Sequence, residues 1–307
     1  MLDAEFFLGG DMPHDLAATQ DALGRIADKL KLPVADTAAG VHELVNQNMA
    51  ASSRMHAVEL GADLRGVTLL AFGGAGPVHA CCVAELLESP RVIFPVNASV
   101  LSAIGTLVSP VRIDLARSMV RPIQGIDEAE RDTLLSELRE EGHRVLIAAG
   151  ADPASVTFRY GVDARYIGQG NEITIWMGEG NKFPGTTLDI VTAFEADYRR
   201  IYGLTIPDVG VEAVTWRLSA YAKAEEFEPL VELSDKHGAA HGTRAVRFTR
   251  QGEAITTPVY RRGDIGRGQV IEGPVIIEER ETTAVIRPNW TVTLGNDGSV
   301  IADRKVK

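Results

Sequence analysis

A glycine-rich turn between an apolar run and a helix is the feature of the sequence that most constrains its fold. The run 67–72 is short, apolar and bounded by glycine, which predicts a buried strand. The turn 73–76 (GGAG) follows, and Pro77 then occupies the first turn of a predicted helix over 77–87, a position that its fixed φ suits. A second strand over 91–95 and a helix over 99–108 complete an alternation that is typical of α/β folds.

The rest of the chain divides into two regions that differ in their predicted secondary structure. Helical spacing of apolar residues predicts helices over 15–30 and 37–60 in the first region. The second region is richer in strands, and the alternation over 211–221 suits a sheet with one covered face. Its predicted strands are 156–164, 172–177, 211–223, 245–248, 256–261 and 273–278, with helices over 125–150 and 187–202. We place a boundary near residue 120, giving domains 1–120 and 121–307, and expect a loose surface segment over 225–241.

Composition excludes several classes of protein. The net charge of −11 repels phosphate backbones and anionic lipid, which argues against nucleic-acid and membrane partners. The only cysteines, Cys81 and Cys82, are adjacent, so we expect small apolar side chains rather than a disulfide framework or a metal site. The first residues lack the basic and apolar segments of a signal peptide, and we expect a cytoplasmic protein.

The glycine turn could carry chemistry of its own. Glycines let a backbone approach a ligand closely, and the N–H groups at the start of the next helix suit a phosphate or the ribose side of a nucleotide. The turn lacks both the Gly-x-Gly-x-x-Gly pattern and the Lys-Ser/Thr of a P-loop, so its spacing leaves a structural turn and a ligand contact equally open. His79 lies in the first helical turn, where we expect it to be neutral; taken alone, a structural histidine is favoured over a catalytic one.

Two polar segments allow more than one interpretation. Residues 163–172 contain Asp163, Arg165, Gln169 and Glu172 among glycines, which fits a ligand site or, preferably, an interdomain seam of Arg–carboxylate pairs. The glutamates of segment 278–281 suggest a metal site, but alternation along a strand predicts that they point to both faces.

Segments in order along the chain resemble motifs of the hydantoinase A/oxoprolinase family, which includes subunits of acetone and acetophenone carboxylases. The run 69–80 (LLAFGGAGPVHA) resembles the family motif FGGAGPLHA. Further segments resemble other family motifs: 6–10 (FFLGG), 45–54 (VNQNMAASSR), 99–107 (SVLSAIGTL), 163–172 (DARYIGQGNE), 273–284 (GPVIIEERETTA) and 288–290 (PNW). The resemblance therefore spans residues 6 to 290.

The resemblance implies an α/β chain: the C-terminal lobe of an actin-like ATPase fold, shared with sugar kinases and heat-shock ATPases, followed by a strand-rich α+β domain. In that fold a Gly-Gly turn holds the adenosine and α-phosphate side of ATP. The residues implied to bind nucleotide here are Gly73, Gly74, Ala75, Gly76 and His79, with Asn46, Asn48 and Arg54 on a helix near the same cleft. For Arg54 a phosphate contact and a salt bridge are equally open.

The sequence also departs from the family pattern. The Asp-x-Gly-Gly-Thr phosphate-binding turn of full-length members is not found in these residues. We therefore expect the Mg²⁺ ligands and the β/γ-phosphate loops on a larger partner subunit, and expect this chain to be inactive alone. The segment 194–203 resembles the family pattern FHxxHxxxYG but has Glu195 and Tyr198 in place of the histidines, so roles that depend on those histidines do not carry over.

Three hypotheses follow for function. The first is a subunit of an ATP-dependent carboxylase complex of the acetone or acetophenone carboxylase type, in which ATP phosphorylates bicarbonate, a ketone enolate or both. The second is a subunit of an ATP-dependent cyclic amide hydrolase that acts on hydantoin or 5-oxoproline. The third is an assembly subunit that no longer contacts nucleotide.

Overall fold

The computed structural model describes residues 2–222 and 234–305, which divide into two compact units. The discontinuous unit combines residues 2–106 with residues 234–305, and the central unit spans residues 107–222. Within these described ranges, no helix is both long and apolar enough to cross a membrane.

The α-helices of the described residues are α1 Leu16–Leu30, α2 Val34–Glu59, α3 Gly76–Leu87, α4 Leu101–Val108, α5 Glu128–Ala148 and α6 Thr187–Tyr202. The strands are β1 Leu69–Leu70, β2 Arg91–Phe94, β3 Arg112–Pro122, β4 Val156–Tyr166, β5 Ile173–Glu179, β6 Val211–Ala222, β7 Gly242–Val246, β8 Ile255–Arg261, β9 Ile271–Glu272, β10 Val275–Glu278, β11 Thr283–Ile286, β12 Trp290–Leu294 and β13 Val300–Arg304.

The discontinuous unit is built around two sheets that share one core with α3. In the described residues the first sheet has the order β1-β2-β13-β12-β9 and the second the order β11-β10-β8-β7. Strand β1 pairs parallel to β2, and β13 pairs antiparallel to β2 on its other side. Ala80, Cys81 and Ala84 of α3 pack against residues of both sheets, including Phe94 and Ile277. The C-terminal strands therefore complete the fold around the glycine turn.

The central unit is an antiparallel sheet of order β3-β6-β4-β5, with α5 and α6 packed on one face. Along β6, Trp216, Leu218 and Ala220 are buried in the core with these helices, whereas Thr215 and Arg217 alternate with them on the other face. The predicted sheet with one apolar, covered face is therefore found here.

The structure confirms a mixed α/β chain with several sheets. It differs from the predicted boundary near residue 120, because residues 234–305 return to pack with residues 2–106. Strands β3, β9, β11, β12 and β13 were not predicted from the sequence. Of the segment 225–241 that we expected to be loose, residues 225–233 lie outside the described residues, and 234–241 contain bends and irregular backbone.

The contact between α5 and β6 makes one glycine a test of the central unit. A Cβ added at Gly142 would lie 2.9 Å from Ala220 Cβ and 3.5 Å from Leu115 Cδ1. Overpacking typically costs about 1–3 kcal/mol, whereas alanine in a helix gains only about 1 kcal/mol over glycine. We therefore expect Gly142→Ala to lower the free energy of unfolding, measured by urea denaturation.

The matched control is Gly125→Ala in the same unit, where an added Cβ would meet no atom within 4 Å. We expect this control to change the free energy of unfolding by no more than about 0.5 kcal/mol. A Gly142→Ala variant as stable as the natural chain would show that α5 does not pack against β6 at this distance.

Candidate functional site

The glycine turn, residues 73–76, is held in shape by hydrogen bonds at its first two residues. Gly73 has φ +87°, in the left-handed region that glycine adopts at low cost. Its N–H donates to the Ala98 carbonyl at 2.7 Å, and the Gly74 carbonyl accepts from Thr282 Oγ1 at 2.9 Å. Residues distant in sequence thus determine the shape of the turn.

The outer surface of the turn is open. Gly74 and Ala75 are exposed. A Cβ added at Gly74 would meet only the Glu281 carbonyl oxygen, at 3.7 Å. A Cβ added at Gly76 would meet no atom within 4 Å. A ligand can therefore approach this backbone directly.

The start of α3 adds the Gly76 N–H to this surface, since Pro77 has no N–H and the Val78 N–H donates to the Ala75 carbonyl at 3.1 Å. Ala75 is the N-cap residue and makes no side-chain capping hydrogen bond, since alanine has no polar atom to offer. Backbone N–H groups at an uncapped helix start can be satisfied by a ligand, and the helix dipole favours an anionic or polar one.

A cavity of about 290 Å³, here called the glycine-turn cavity, borders the turn. Three segments line it: residues 2–7, residues 74–79 and residues 278–283. Leu2, Phe6, Phe7 and Val78 give it apolar walls. Its volume lies near the lower end of small-ligand pockets, which measure about 300–1,000 Å³. Each of the three segments falls within or beside a motif that the family resemblance singled out.

Ion pairs fix the walls of the glycine-turn cavity. Glu278, only 4% exposed, accepts from Arg244 at 2.8 Å, and Arg244 also donates to Asp3 at 3.0 Å. Arg280 donates to Asp11 at 2.8 Å. These contacts hold the N-terminal segment against the chain that follows β10.

His79 is joined to helix α2 by a buried amide. Its Nδ1 lies 2.9 Å from Oδ1 of Asn46, and Nδ2 of the same amide lies 3.1 Å from Nδ1 of His42. The two imidazole rings stack with centroids 4.7 Å apart. Burial lowers the pKa of His79, and burial followed by the charges of His79 and Arg287 lowers the pKa of His42. Burial thus favours the neutral form of His79, whereas our expectation of a neutral ring relied on the helix start.

Two of the sequence-predicted site residues lie away from the turn. The Arg54 guanidinium donates to the Leu86 carbonyl, near the opposite end of α3 from the turn. Leu86 lies ten positions after Gly76 on the helix, which is roughly 15 Å along the axis. Asn48 is exposed, whereas Asn46, two residues earlier on α2, is buried and faces α3. The structure therefore groups Gly73, Gly74, Ala75, Gly76 and His79, and it leaves Asn48 and Arg54 outside the group.

Sequence reasoning missed four residues of this site: Phe6, Phe7, His42 and Thr282. The first two fall in the FFLGG segment and Thr282 falls in the segment 273–284, so the motif matches were an available signal. For His42 no local signal existed, because its partner Asn46 is buried only through contact with α3.

The adjacent cysteines are free thiols. Cys81 is buried in the core, and Cys82 is half-buried. Burial raises the pKa of both thiols, which disfavours the reactive thiolate form.

The polar segment 163–172 forms pairs within the central unit rather than the interdomain seam that we expected. Arg217 on the neighbouring strand β6 forms a bidentate pair with buried Asp163, at 2.7 and 2.8 Å from Nε and 2.6 Å from Nη2. Arg165 pairs with Glu212 of the same strand at 2.8 Å. The Arg–carboxylate pairs thus exist, but they tie one sheet together.

The position where the family has a second histidine is aromatic here. Tyr198 packs edge-on against Tyr166 with ring centroids 4.9 Å apart, and its hydroxyl accepts from Gln169 Nε2 at 2.9 Å. This contact gives Gln169, from the polar segment, a structural partner.

The glutamates of segment 278–281 face different arginines. Glu278 pairs with Arg244, and Glu279 pairs with Arg262 at 2.7 Å. In the part of the chain that the structure describes, no group of three or more His, Cys, Asp or Glu side chains is arranged to hold a metal ion.

Comparison with known proteins gives matches along both regions of the chain. The Hydantoinase/oxoprolinase family model matches residues 1–115, and the model for the Hydantoinase/oxoprolinase C-terminal domain matches residues 127–298. The caprolactamase subunit alpha of Pseudomonas jessenii is 29% identical over 94% of this chain and 42% of its own length. The acetophenone carboxylase gamma subunit of Aromatoleum aromaticum is 24% identical over 98% of this chain and 43% of its own length.

Solved structures share the fold. The nucleotide-free acetone carboxylase, from a study of ATP-dependent acetone carboxylation, superimposes with a TM-score of 0.76 at 25% identity. The ATP-dependent caprolactamase of Pseudomonas jessenii gives the same TM-score at 27% identity. Each match covers 99% of this chain and 45% of the other, so the chain spans less than half the length of these proteins.

The second family model covers more than half of the chain, and the first covers most of the remainder. The site residues grouped around the glycine turn lie in segments that these models match. The chain therefore belongs to the hydantoinase/oxoprolinase family.

Proposed function

We propose that this chain supplies the adenosine side of the ATP site in an ATP-dependent carboxylase complex of the acetone or acetophenone carboxylase type. The observation that carries the proposal is the open glycine turn beside an apolar cavity of about 290 Å³. The cavity accepts an aromatic base and sugar, and the Gly76 N–H at the uncapped start of α3 donates to a neighbouring oxygen of the ligand.

In such a complex ATP phosphorylates bicarbonate, a ketone enolate or both, and carboxylation follows at another site. The contribution of this chain is to bind and orient the nucleotide, which is a large part of catalysis in phosphoryl transfer. We assign the Mg²⁺ ligands and the β/γ-phosphate loops to a larger polypeptide, and we propose that the chain is inactive without it. The chain spans less than half the length of the caprolactamase and carboxylase relatives, so most of their residues have no counterpart in it.

The exposed face of α2 is where we propose that this polypeptide docks. Three of the buried residues of the helix, Asn46, Ala50 and Ala57, share one face. On nearly the opposite side lie two largely exposed apolar pairs, Val41 (45%) with Leu44 (62%) and Met55 (67%) with Val58 (78%), with exposed Asn48 and Ala51 between them. Exposed apolar side chains grouped in this way on one side of a helix support an interaction surface. We propose that the polypeptide carrying the Asp-x-Gly-Gly-Thr turn covers it.

A cyclic amide hydrolase is the second candidate, favoured by the similarity to the ATP-dependent caprolactamase. Both candidates use the same nucleotide step and differ in the group that accepts the phosphoryl group: bicarbonate or an enolate in one, an amide carbonyl in the other. Measuring phosphate release with bicarbonate plus ketone, and separately with hydantoin, 5-oxoproline or a lactam, separates the two.

The glycine turn offers a clean test of nucleotide binding. At Gly74 the backbone is not strained and an added Cβ fits, so Gly74→Val should fold normally while its side chain blocks the approach of a ligand. For the chain mixed with the polypeptide carrying the Asp-x-Gly-Gly-Thr turn, we expect calorimetry to show at least a tenfold weaker affinity for ATP, about 1.4 kcal/mol.

Gly125→Val serves as the control, because Gly125 lies in the central unit with open space around it, and it should bind ATP as the natural chain does. Equal ATP affinity for Gly74→Val and the natural chain would favour the third hypothesis, an assembly subunit that does not contact nucleotide.

The docking face can be tested separately. We expect Leu44→Asp and Met55→Asp to leave the fold intact, because both side chains are exposed, and to weaken association with the larger polypeptide by at least tenfold in analytical ultracentrifugation. Leu188→Asp is the control, since Leu188 is 72% exposed on α6 of the central unit. If the variants at positions 44 and 55 associate as tightly as this control, or if the natural chain instead self-associates through α2, the proposed docking face is refuted.

A further inference from the structure

A single buried amide connects the two stacked histidines of the discontinuous unit. Asn46 is 1% exposed, and its carbonyl and amino groups each contact one imidazole. His79 is a lining residue of the glycine-turn cavity, whereas His42 lines a separate groove of about 850 Å³ beside Arg247 and Arg287. The amide therefore lies between the cavity and the second groove.

In this orientation of the Asn46 amide, with Oδ1 toward His79 and Nδ2 toward His42, hydrogen bonding fixes the protons on both rings. A carbonyl oxygen only accepts, so Nδ1 of His79 must carry the proton that it donates to Asn46 Oδ1. The amide nitrogen only donates, so Nδ1 of His42 must be bare to accept from Asn46 Nδ2. In their neutral forms, His79 is then protonated at Nδ1 alone and His42 at Nε2 alone.

The surroundings favour these neutral forms. Both rings are half-buried. If both were protonated, two positively charged rings would face each other with their centroids 4.7 Å apart. The Arg287 guanidinium adds a further positive charge near His42. A second proton on His42 would have to go to Nδ1, where it would break the hydrogen bond from Asn46 Nδ2.

We propose that Asn46 is a positioning residue that holds His79 as its Nδ1–H tautomer, so that His79 presents a bare Nε2 as a hydrogen-bond acceptor to the ligand of the glycine-turn cavity. The group that His79 recognises is accordingly a neutral donor, a hydroxyl or an amino group. A fully ionised phosphate or carboxylate oxygen, which itself only accepts, is excluded from this contact.

The inference deepens the proposed function, on which it rests for the identity of the ligand. Adenosine carries both kinds of donor, in its ribose hydroxyls and its exocyclic amino group. The inference assigns His79 to the nucleoside part of ATP, and it assigns the phosphates to donors elsewhere, among them the backbone at the start of α3.

The tautomers can be measured directly on the full chain. Long-range proton–nitrogen correlation spectra of histidine-labelled protein near neutral pH distinguish Nδ1–H, Nε2–H and doubly protonated rings, and His79→Gln and His42→Gln assign the signals. We expect the Nδ1–H form at His79 and the Nε2–H form at His42. An Nε2–H or doubly protonated His79 would overturn the inference and leave the proposed ATP site standing.

A second variant separates positioning from general structure. Asn46→Leu keeps a similar volume but removes both hydrogen bonds, and we expect the His79 signal to shift toward the Nε2–H form that predominates in the free histidine side chain. His79 signals that stay unchanged in this variant would show that Asn46 does not select the tautomer. If the variant does not fold, the spectrum of the natural chain still decides the question.

The ligand assignment uses adenosine and inorganic sulfate, whose fully ionised oxygens only accept, as probes added separately to the chain mixed with the larger polypeptide. We expect adenosine, and not sulfate, to shift the Nε2 signal of His79. A shift with sulfate alone would overturn the donor assignment. The expected tautomer with no response to adenosine would overturn the ligand assignment together with the proposed function, a result distinct from failure of the tautomer itself.

Discussion

The pairing of β13 with β2 is the interaction on which the rest of the discontinuous unit depends. The two strands are in register from Val300↔Phe94 to Asp303↔Arg91, and the last pair adds a salt bridge of 2.6 Å between its side chains. This pairing places a strand from the end of the chain inside the first sheet, between β2 and β12. Backbone hydrogen bonds of a ladder are difficult to replace in a buried sheet, so the local strand-turn-helix unit cannot form its native core without residues about two hundred positions away.

The same long-range closure shapes the candidate site. It brings Thr282 to the Gly74 carbonyl and places the chain after β10 beside the N-terminal segment. The Gly73 N–H and the Gly74 carbonyl hold the turn through hydrogen bonds, and these contacts leave the outer surface of the turn open. Ion pairs of Arg244 and Arg280 stabilise the walls, while the interior of the glycine-turn cavity remains largely apolar. A rigid backbone edge beside an apolar cavity is well suited to hold a base and sugar in one orientation.

The sequence predicted the local elements of this arrangement well, because short apolar runs, glycines and Pro77 act within a few residues. Motif resemblance added the family and pointed to the turn. Neither could predict the pairing of β13 with β2, since periodicity reports the face of a strand and not its neighbour. Strand β3 was missed because the alternation of its first four residues breaks at exposed Arg117 and at the register shift after Ser118, and β9 is only two residues long. The motif over 45–54 placed Asn46, Asn48 and Arg54 on one helix near the cleft and did not distinguish between them. Only the packing of this helix against α3 shows that Asn46 is the residue that contacts His79.

The central claim is that the glycine turn and its cavity hold the adenosine part of ATP in an assembled enzyme. A structure of this chain bound to the larger polypeptide, with a non-hydrolysable ATP analogue, tests it most directly. The account predicts that the adenine and ribose lie within contact distance of residues 73–76 and of the cavity wall at Phe6 and His79, with the phosphates directed toward the second polypeptide. A nucleotide bound elsewhere, with its adenine and ribose out of contact with residues 73–76, would contradict the account.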